Sequence, residues 1–122
     1  MTVRWDPRWR LQVYSTEDDR VGHRSAAEAL LEAAREDGLA GATVWRASEG
    51  YGRSGVLHTT RFPDAARGLP LVVEIVDEAD KVSAFLSVVA ELLPGALTTV
   101  EAVQRARHHA GHLPLDDTVP RT

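Results

Sequence analysis

Three glycines, a tyrosine and an arginine fall together in Gly50-Tyr-Gly-Arg-Ser-Gly55, directly after a β-branched and aromatic run. Glycine at that density lets the backbone take φ > 0 or lie close against another group. Gly50, Gly52 and Gly55 therefore mark either a bulge or tight turn that re-aims a strand, or a backbone that approaches a ligand. Arg53 lies inside this segment, and Arg105 and Arg107 stand near the other end of the chain. Guanidinium groups suit bidentate contact with phosphate or carboxylate; on an edge strand, Arg105 and Arg107 would equally make a solvated face. His58, between Leu57 and Thr59-Thr60, reads first as a hydrogen-bonded structural histidine. His108, His109 and His112 have H-H-x-x-H spacing, which could ligate zinc on a helix, but Gly111 and Pro114 argue against one there. Glu17-Asp18-Asp19 reads as a solvated acidic turn.

Composition narrows the chemistry. The chain has 122 residues, 43% of them hydrophobic and 26% charged, as in one ordinary globular domain. A net charge of −4 gives no general affinity for nucleic acid, which needs clustered surplus Lys and Arg. There is no cysteine, so disulfides, thiolate catalysis and cysteine metal sites are excluded. G-x-S-x-G, H-E-x-x-H and the P-loop are absent. The arginine–asparagine pair that the ferredoxin-like acylphosphatases use has no counterpart either, because the chain contains no asparagine. No enzymatic activity and no cofactor are expected. The apolar runs fall short of a membrane span, and a cytoplasmic location is expected.

The elements that must position these residues follow from periodicity. Residues 1–8 read as an irregular lead, 9–107 as the domain, and 108–122 as a flexible C-terminal tail. Trp9–Tyr14 alternates as a half-buried strand. Ser25 with Glu28 forms a capping box for a helix over 26–37 whose apolar face is Ala27, Leu30, Leu31 and Ala34, and Gly38 supplies its left-handed stop. A second strand starts at Ala42, 50–68 reads as a loop, and Leu69–Val76 is a third strand. A helix over 78–92 carries Val82, Phe85, Leu86 and Val89 on one face. Pro94-Gly95 breaks it, and Thr98–Val103 begins a fourth strand that extends toward Arg107. The order βαββαβ specifies an α+β, ferredoxin-like sandwich: a four-stranded antiparallel sheet with both helices on one face. The other face is expected to be too apolar for water, which calls for oligomerisation.

In that order stand Gly38-Leu-Ala-Gly-Ala-Thr-Val44, Gly50-Tyr-Gly-Arg-Ser-Gly55, Leu57-His-Thr59, Leu69-Pro-Leu-Val-Val-Glu-Ile-Val-Asp77 and Val103-Gln-Arg-Ala-Arg107. Together, over residues 9–107, they resemble the PII-like signalling superfamily, and most of all its domain-of-unknown-function branch. The resemblance implies a homotrimer that binds adenine nucleotides such as AMP or ADP between subunits and controls a partner through the 53–68 loop, a membrane transporter or another protein being the candidate. It implies that Thr43 sits beside the adenine, and that Gly50, Tyr51 and Gly52 bring backbone N–H groups to the ligand. Arg53 takes the matching arginine position of the glycine motif, His58 belongs to the branch's own histidine–threonine stretch, and Arg105 and Arg107 would reach phosphates. The phosphate-cradling, lysine-bearing loop of PII proteins is replaced by Leu93-Pro-Gly-Ala-Leu97, which points to a smaller nucleotide such as AMP, or to a non-nucleotide ligand, rather than a triphosphate. The alternative is a metal-binding or purely structural trimer similar to CutA, in which the histidines would matter and the arginines would not.

Overall fold

The computed structural model describes residues 2–109. The strands are β1 (Thr2–Thr16), β2 (Arg20–Val21), β3 (Arg24–Ser25), β4 (Thr43–Arg46), β5 (Glu49–Gly50), β6 (His58–Thr59), β7 (Pro70–Asp77) and β8 (Thr98–His109). The helices are α1 (Ala26–Glu36) and α2 (Ala79–Leu92), with a 3₁₀ turn at Pro63–Ala65. The main sheet has the order β4-β7-β1-β8 with every neighbouring pair antiparallel. That is the ferredoxin-like arrangement, with β2–β3 and β5–β6 as two short added hairpins.

The ends of α1 form as the residue types dictate. The Ser25 hydroxyl accepts from the Glu28 amide at 3.1 Å. At the other end Gly38 has φ +73°, which lets its amide reach Arg35 O at 3.1 Å and the Leu39 amide reach Ala34 O at 3.0 Å. This paired closure satisfies carbonyls that the helix end would otherwise leave open. Strand β7 alternates cleanly: Val73 and Ile75 are buried against the helices and paired with Val13 and Leu11 of β1. Leu30, Val82, Phe85 and Val89 close the same core from the helix side.

Two expectations change. The lead is not irregular, because β1 starts at Thr2 and pairs with β8 from Thr2↔His109 to Arg8↔Val103. Beyond Trp9, where β7 ends its pairing, these residues form a two-stranded ribbon. Asp6 and Pro7 mask an alternation in which Val3, Trp5, Pro7 and Trp9 face one way and Arg4, Asp6, Arg8 and Arg10 the other. The uncovered sheet face is also banded rather than apolar throughout. Val72 and Val76 of β7 do point there, but the row between them runs Thr43, Glu74, Gln12, Thr99 across all four strands, with Gln12 Nε2 donating to Glu74 Oε1 at 3.0 Å. Val72 is flanked on this face by Trp45 of β4 and Tyr14 of β1, an apolar row three strands wide, whereas β1 lays Arg10 and Gln12 beside Val76 and Glu74. His112 and most of the proposed 108–122 tail lie outside the described residues; His108 and His109 end β8.

Candidate functional site

The glycine segment folds as a hairpin. Glu49↔Thr59 and Gly50↔His58 pair, and the Thr60 amide adds a bond to Ser48 O at 2.9 Å. The tip closes with the Gly55 amide on Gly52 O at 3.0 Å and Gly55 at φ +74°, the left-handed position such a turn needs. The base is locked by a polar cluster. Buried Thr59 donates its hydroxyl to Glu49 Oε1 at 3.0 Å, and Arg61 Nε approaches the same oxygen at 2.6 Å. The expected loop is therefore partly ordered structure. Its strands, of two residues each, are too short to show a period.

This hairpin forms one wall of an open cleft of about 640 Å³. Gly50, Tyr51, Gly52, Arg53 and His58 all line it. The facing wall comes from Tyr14, Ser15 and Thr16 at the end of β1, from Gly68 and Pro70 ahead of β7, and from Gly95, Ala96 and Leu97 after α2. The last turn is tied to β1 by the Tyr14 amide on Leu97 O at 2.9 Å. Thus the Gly95–Leu97 turn faces the glycine segment.

The acidic turn proves structural rather than merely solvated. Glu17 accepts the Leu69 amide at 3.0 Å and pairs with Arg46 Nη2 at 2.6 Å, while Asp19 Oδ2 accepts the Thr16 amide at 2.8 Å. These bonds fix the cleft floor, and a run of three acids gives no hint of them. His58 Nδ1 lies 2.6 Å from Arg67 O, which holds the ring against the chain entering β7.

Three residues fall elsewhere. Thr43 is exposed on the open sheet face, paired with Glu74. Arg105 and Arg107 converge on Asp6, at 2.8 and 3.4 Å, in the β1–β8 ribbon. The Arg105 hydrogen bond, then the charges of Arg107, Arg105 and Arg8, hold the Asp6 carboxyl below its ordinary range against the opposing effect of desolvation. Asp6 lies eight residues before Tyr14 on the same strand, so this cluster is roughly 26 Å along β1 from the cleft at about 3.3 Å per residue. One chain does not bring these arginines to the glycine segment. Among the described residues no group of three His, Asp or Glu side chains is placed to hold a metal ion.

Glu49 gives the hairpin an acid limit. The Thr59 hydroxyl first, and Arg61 second, hold its carboxyl below the ordinary glutamate value. A depressed carboxylate adds stability above its unfolded value and loses it as pH falls through the folded one. The protection factor of the Thr60 amide, its exchange rate relative to the intrinsic rate at the same pH, is expected to fall as pH drops below the ordinary glutamate range, while α2 amides keep theirs. Glu49→Gln should remove that step, and an acid-induced opening that persists in Glu49→Gln would contradict it.

A family model described as "Uncharacterized ACR, COG1993" (DUF190) matches residues 8–105. The chain belongs to the DUF190 family. This DUF190 chain is also 40% identical over 76 residues to the UPF0166 protein of Aquifex aeolicus (strain VF5), a match covering 62% of this chain and 72% of that protein. Its fold is PII-like. CPII, a nitrogen regulatory PII-like protein from Thiomonas intermedia K12 solved bound to ADP, AMP and bicarbonate, superposes with a TM-score of 0.59 at 17% identity, over 85% of this chain and 92% of that one. CutA from Synechococcus elongatus PCC7942 shares the same frame at a TM-score of 0.55 and 16% identity, over 87% of this chain and 85% of that one.

Proposed function

We propose that this DUF190 protein is a PII-like regulatory protein that binds a small adenine nucleotide in the hairpin cleft and signals through residues 53–68. The observation that carries this reading is the convergence of Gly50, Tyr51, Gly52, Arg53 and His58 on one cleft with the Gly95–Leu97 turn. Its volume, about 640 Å³, falls in the range of small-molecule sites. CPII, which shares the fold, was solved with ADP and AMP. Arg53 is the cation within reach of a phosphate, and the single glycine and missing lysine of Leu93–Leu97 favour a monophosphate over a triphosphate. Assembly as a trimer would cover the striped sheet face, and only a second subunit could bring Arg105 and Arg107 to this cleft. Ligand contacts with Tyr51–Arg53 would order the hairpin tip and change the surface shown to a protein partner.

Calorimetric titration with AMP, ADP, ATP and cyclic AMP tests the reading. Saturable binding of AMP, weakened at least roughly tenfold in Arg53→Ala, is the expected result; a tenfold loss is about 1.4 kcal/mol. Loss of binding in Arg105→Ala/Arg107→Ala as well would assign those arginines to a neighbour's cleft. Heat from none of the four nucleotides would sink the proposal. A melting temperature raised by zinc or copper and not by nucleotide would favour the CutA-like alternative, since a ligand at a hundred times its Kd stabilises by about 2.7 kcal/mol.

A further inference from the structure

The fold leaves one ring nitrogen of the cleft wall unused. His58 Nδ1 is 2.6 Å from the carbonyl oxygen of Arg67. A carbonyl has no proton to give, so the ring nitrogen donates and neutral His58 is the Nδ1–H tautomer. Nε2 then carries a lone pair, and no described residue donates to it. Ser15 is 8% exposed, and its Oγ has no hydrogen-bond partner. Its side chain lies on the same side of β1 as Leu11 and Val13, so this hydroxyl is closed off from the open cleft and offers a ligand nothing. Asp19 lines the same end and spends only Oδ2 on the Thr16 amide. The Asp18 carboxylate lies nearby, against Gly68.

This end of the cleft is therefore rich in acceptors. Arg53 lies toward the other end, because Gly50↔His58 is the base of the hairpin and Arg53 sits in its Gly52–Gly55 tip. A carboxylate at the base repels phosphate, and a guanidinium at the tip attracts it. The geometry points to His58 as the specificity-determining residue of the cleft: its Nε2 accepts a hydrogen bond from an amine or hydroxyl of the nucleoside part of the ligand, with the phosphate lying toward Arg53. This rests on the nucleotide reading above and adds an orientation and a rule for selection. Ligands with a donor at that position are retained, and analogues carrying only an acceptor there are rejected.

The substitution that separates positioning from recognition is His58→Asn. Its amide nitrogen can take the place of Nδ1 and keep the bond to Arg67 O, but no atom reaches the place of Nε2. The probes are AMP, inosine 5′-monophosphate, in which the exocyclic amine becomes a carbonyl, and 2′-deoxy-AMP, which lacks a ribose hydroxyl. His58→Asn is expected to melt like the wild type and to bind AMP roughly tenfold or more weakly. The wild type should discriminate against inosine 5′-monophosphate if the donor is the amine, or against 2′-deoxy-AMP if it is the hydroxyl. His58→Asn should lose that same discrimination. Equal AMP affinity in the two proteins, or undiminished discrimination in His58→Asn, would overturn the assignment. If His58→Asn does not fold, the ¹⁵N shift of wild-type His58 Nε2 decides: a move away from the bare-imine position on adding AMP supports acceptance, and no move refutes it. Absence of AMP binding to the wild type would bring down the nucleotide reading and this inference together, whereas binding that ignores His58 brings down only the latter.

Discussion

Phe85→Ala is expected to lower folding stability by about 3–5 kcal/mol, the cost of a large cavity in a packed core. Phe85 is 1% exposed and is the largest of the fully buried side chains. It stands on α2 between Val82 and Val89, three residues before and four after, so that the three share one helical face above Leu11, Val13, Val73 and Ile75. Native stabilities of about 5–15 kcal/mol leave little room for such a loss. Thermal unfolding should move down by on the order of 10 °C or more. Phe62→Ala is the matched control. That ring is 57% exposed, with the Arg61 guanidinium 5.6 Å from its centroid, and its loss should cost no more than about 1 kcal/mol. Similar melting temperatures for the two variants would contradict the assignment of the core.

The elements around Phe85 are also those that sequence marks most strongly. α1 is announced by Ser25 and Glu28 and closed by Gly38; α2 by its stripe; β7 by a β-branched run. Local signals of this kind survive because they are made within a few residues. The β1–β8 ribbon is less visible, since Asp6 and Pro7 break the look of a strand while the pairing partner lies about a hundred residues away. The cleft divides in the same way. Its glycine wall is compact in sequence, but Tyr14, Ser15, Gly68 and Gly95 meet it only through strand register and chain crossings, and nothing local labels Ser15 as polar and unpaired. Gly68 did carry a signal. It stands directly before Leu69-Pro70 at the entry to a buried strand, where a left-handed residue turns the chain.

That glycine supports the second large prediction. Gly68 has φ +62°, and a Cβ there would sit 2.6 Å from Asp18 Oδ2 and 3.4 Å from His58 Cε1. Gly22 has the same φ, +62°, with nothing within 4 Å of its would-be Cβ. The two alanine variants therefore share one backbone strain, about 1–2 kcal/mol for an L-residue in the left-handed region, and differ only in what the methyl meets. Asp18 is exposed and can swing aside, so the added clash should be modest, about 1 kcal/mol, at the low end of overpacking costs. The larger difference should be functional. Arg67, whose carbonyl anchors His58, is the residue immediately before Gly68, so strain or displacement there moves the ring proposed above to contact the nucleotide. Gly68→Ala is expected to weaken AMP binding at least roughly tenfold, about 1.4 kcal/mol, while Gly22→Ala leaves it unchanged. Adding Asp18→Ala to Gly68→Ala should return the stability lost to the clash but not that lost to φ. Equal AMP affinities for Gly22→Ala and Gly68→Ala would show that the Arg67–Gly68 corner does not position the cleft. A full recovery of stability in the double variant would mean that the clash, and not the left-handed backbone, is what reserves this position for glycine.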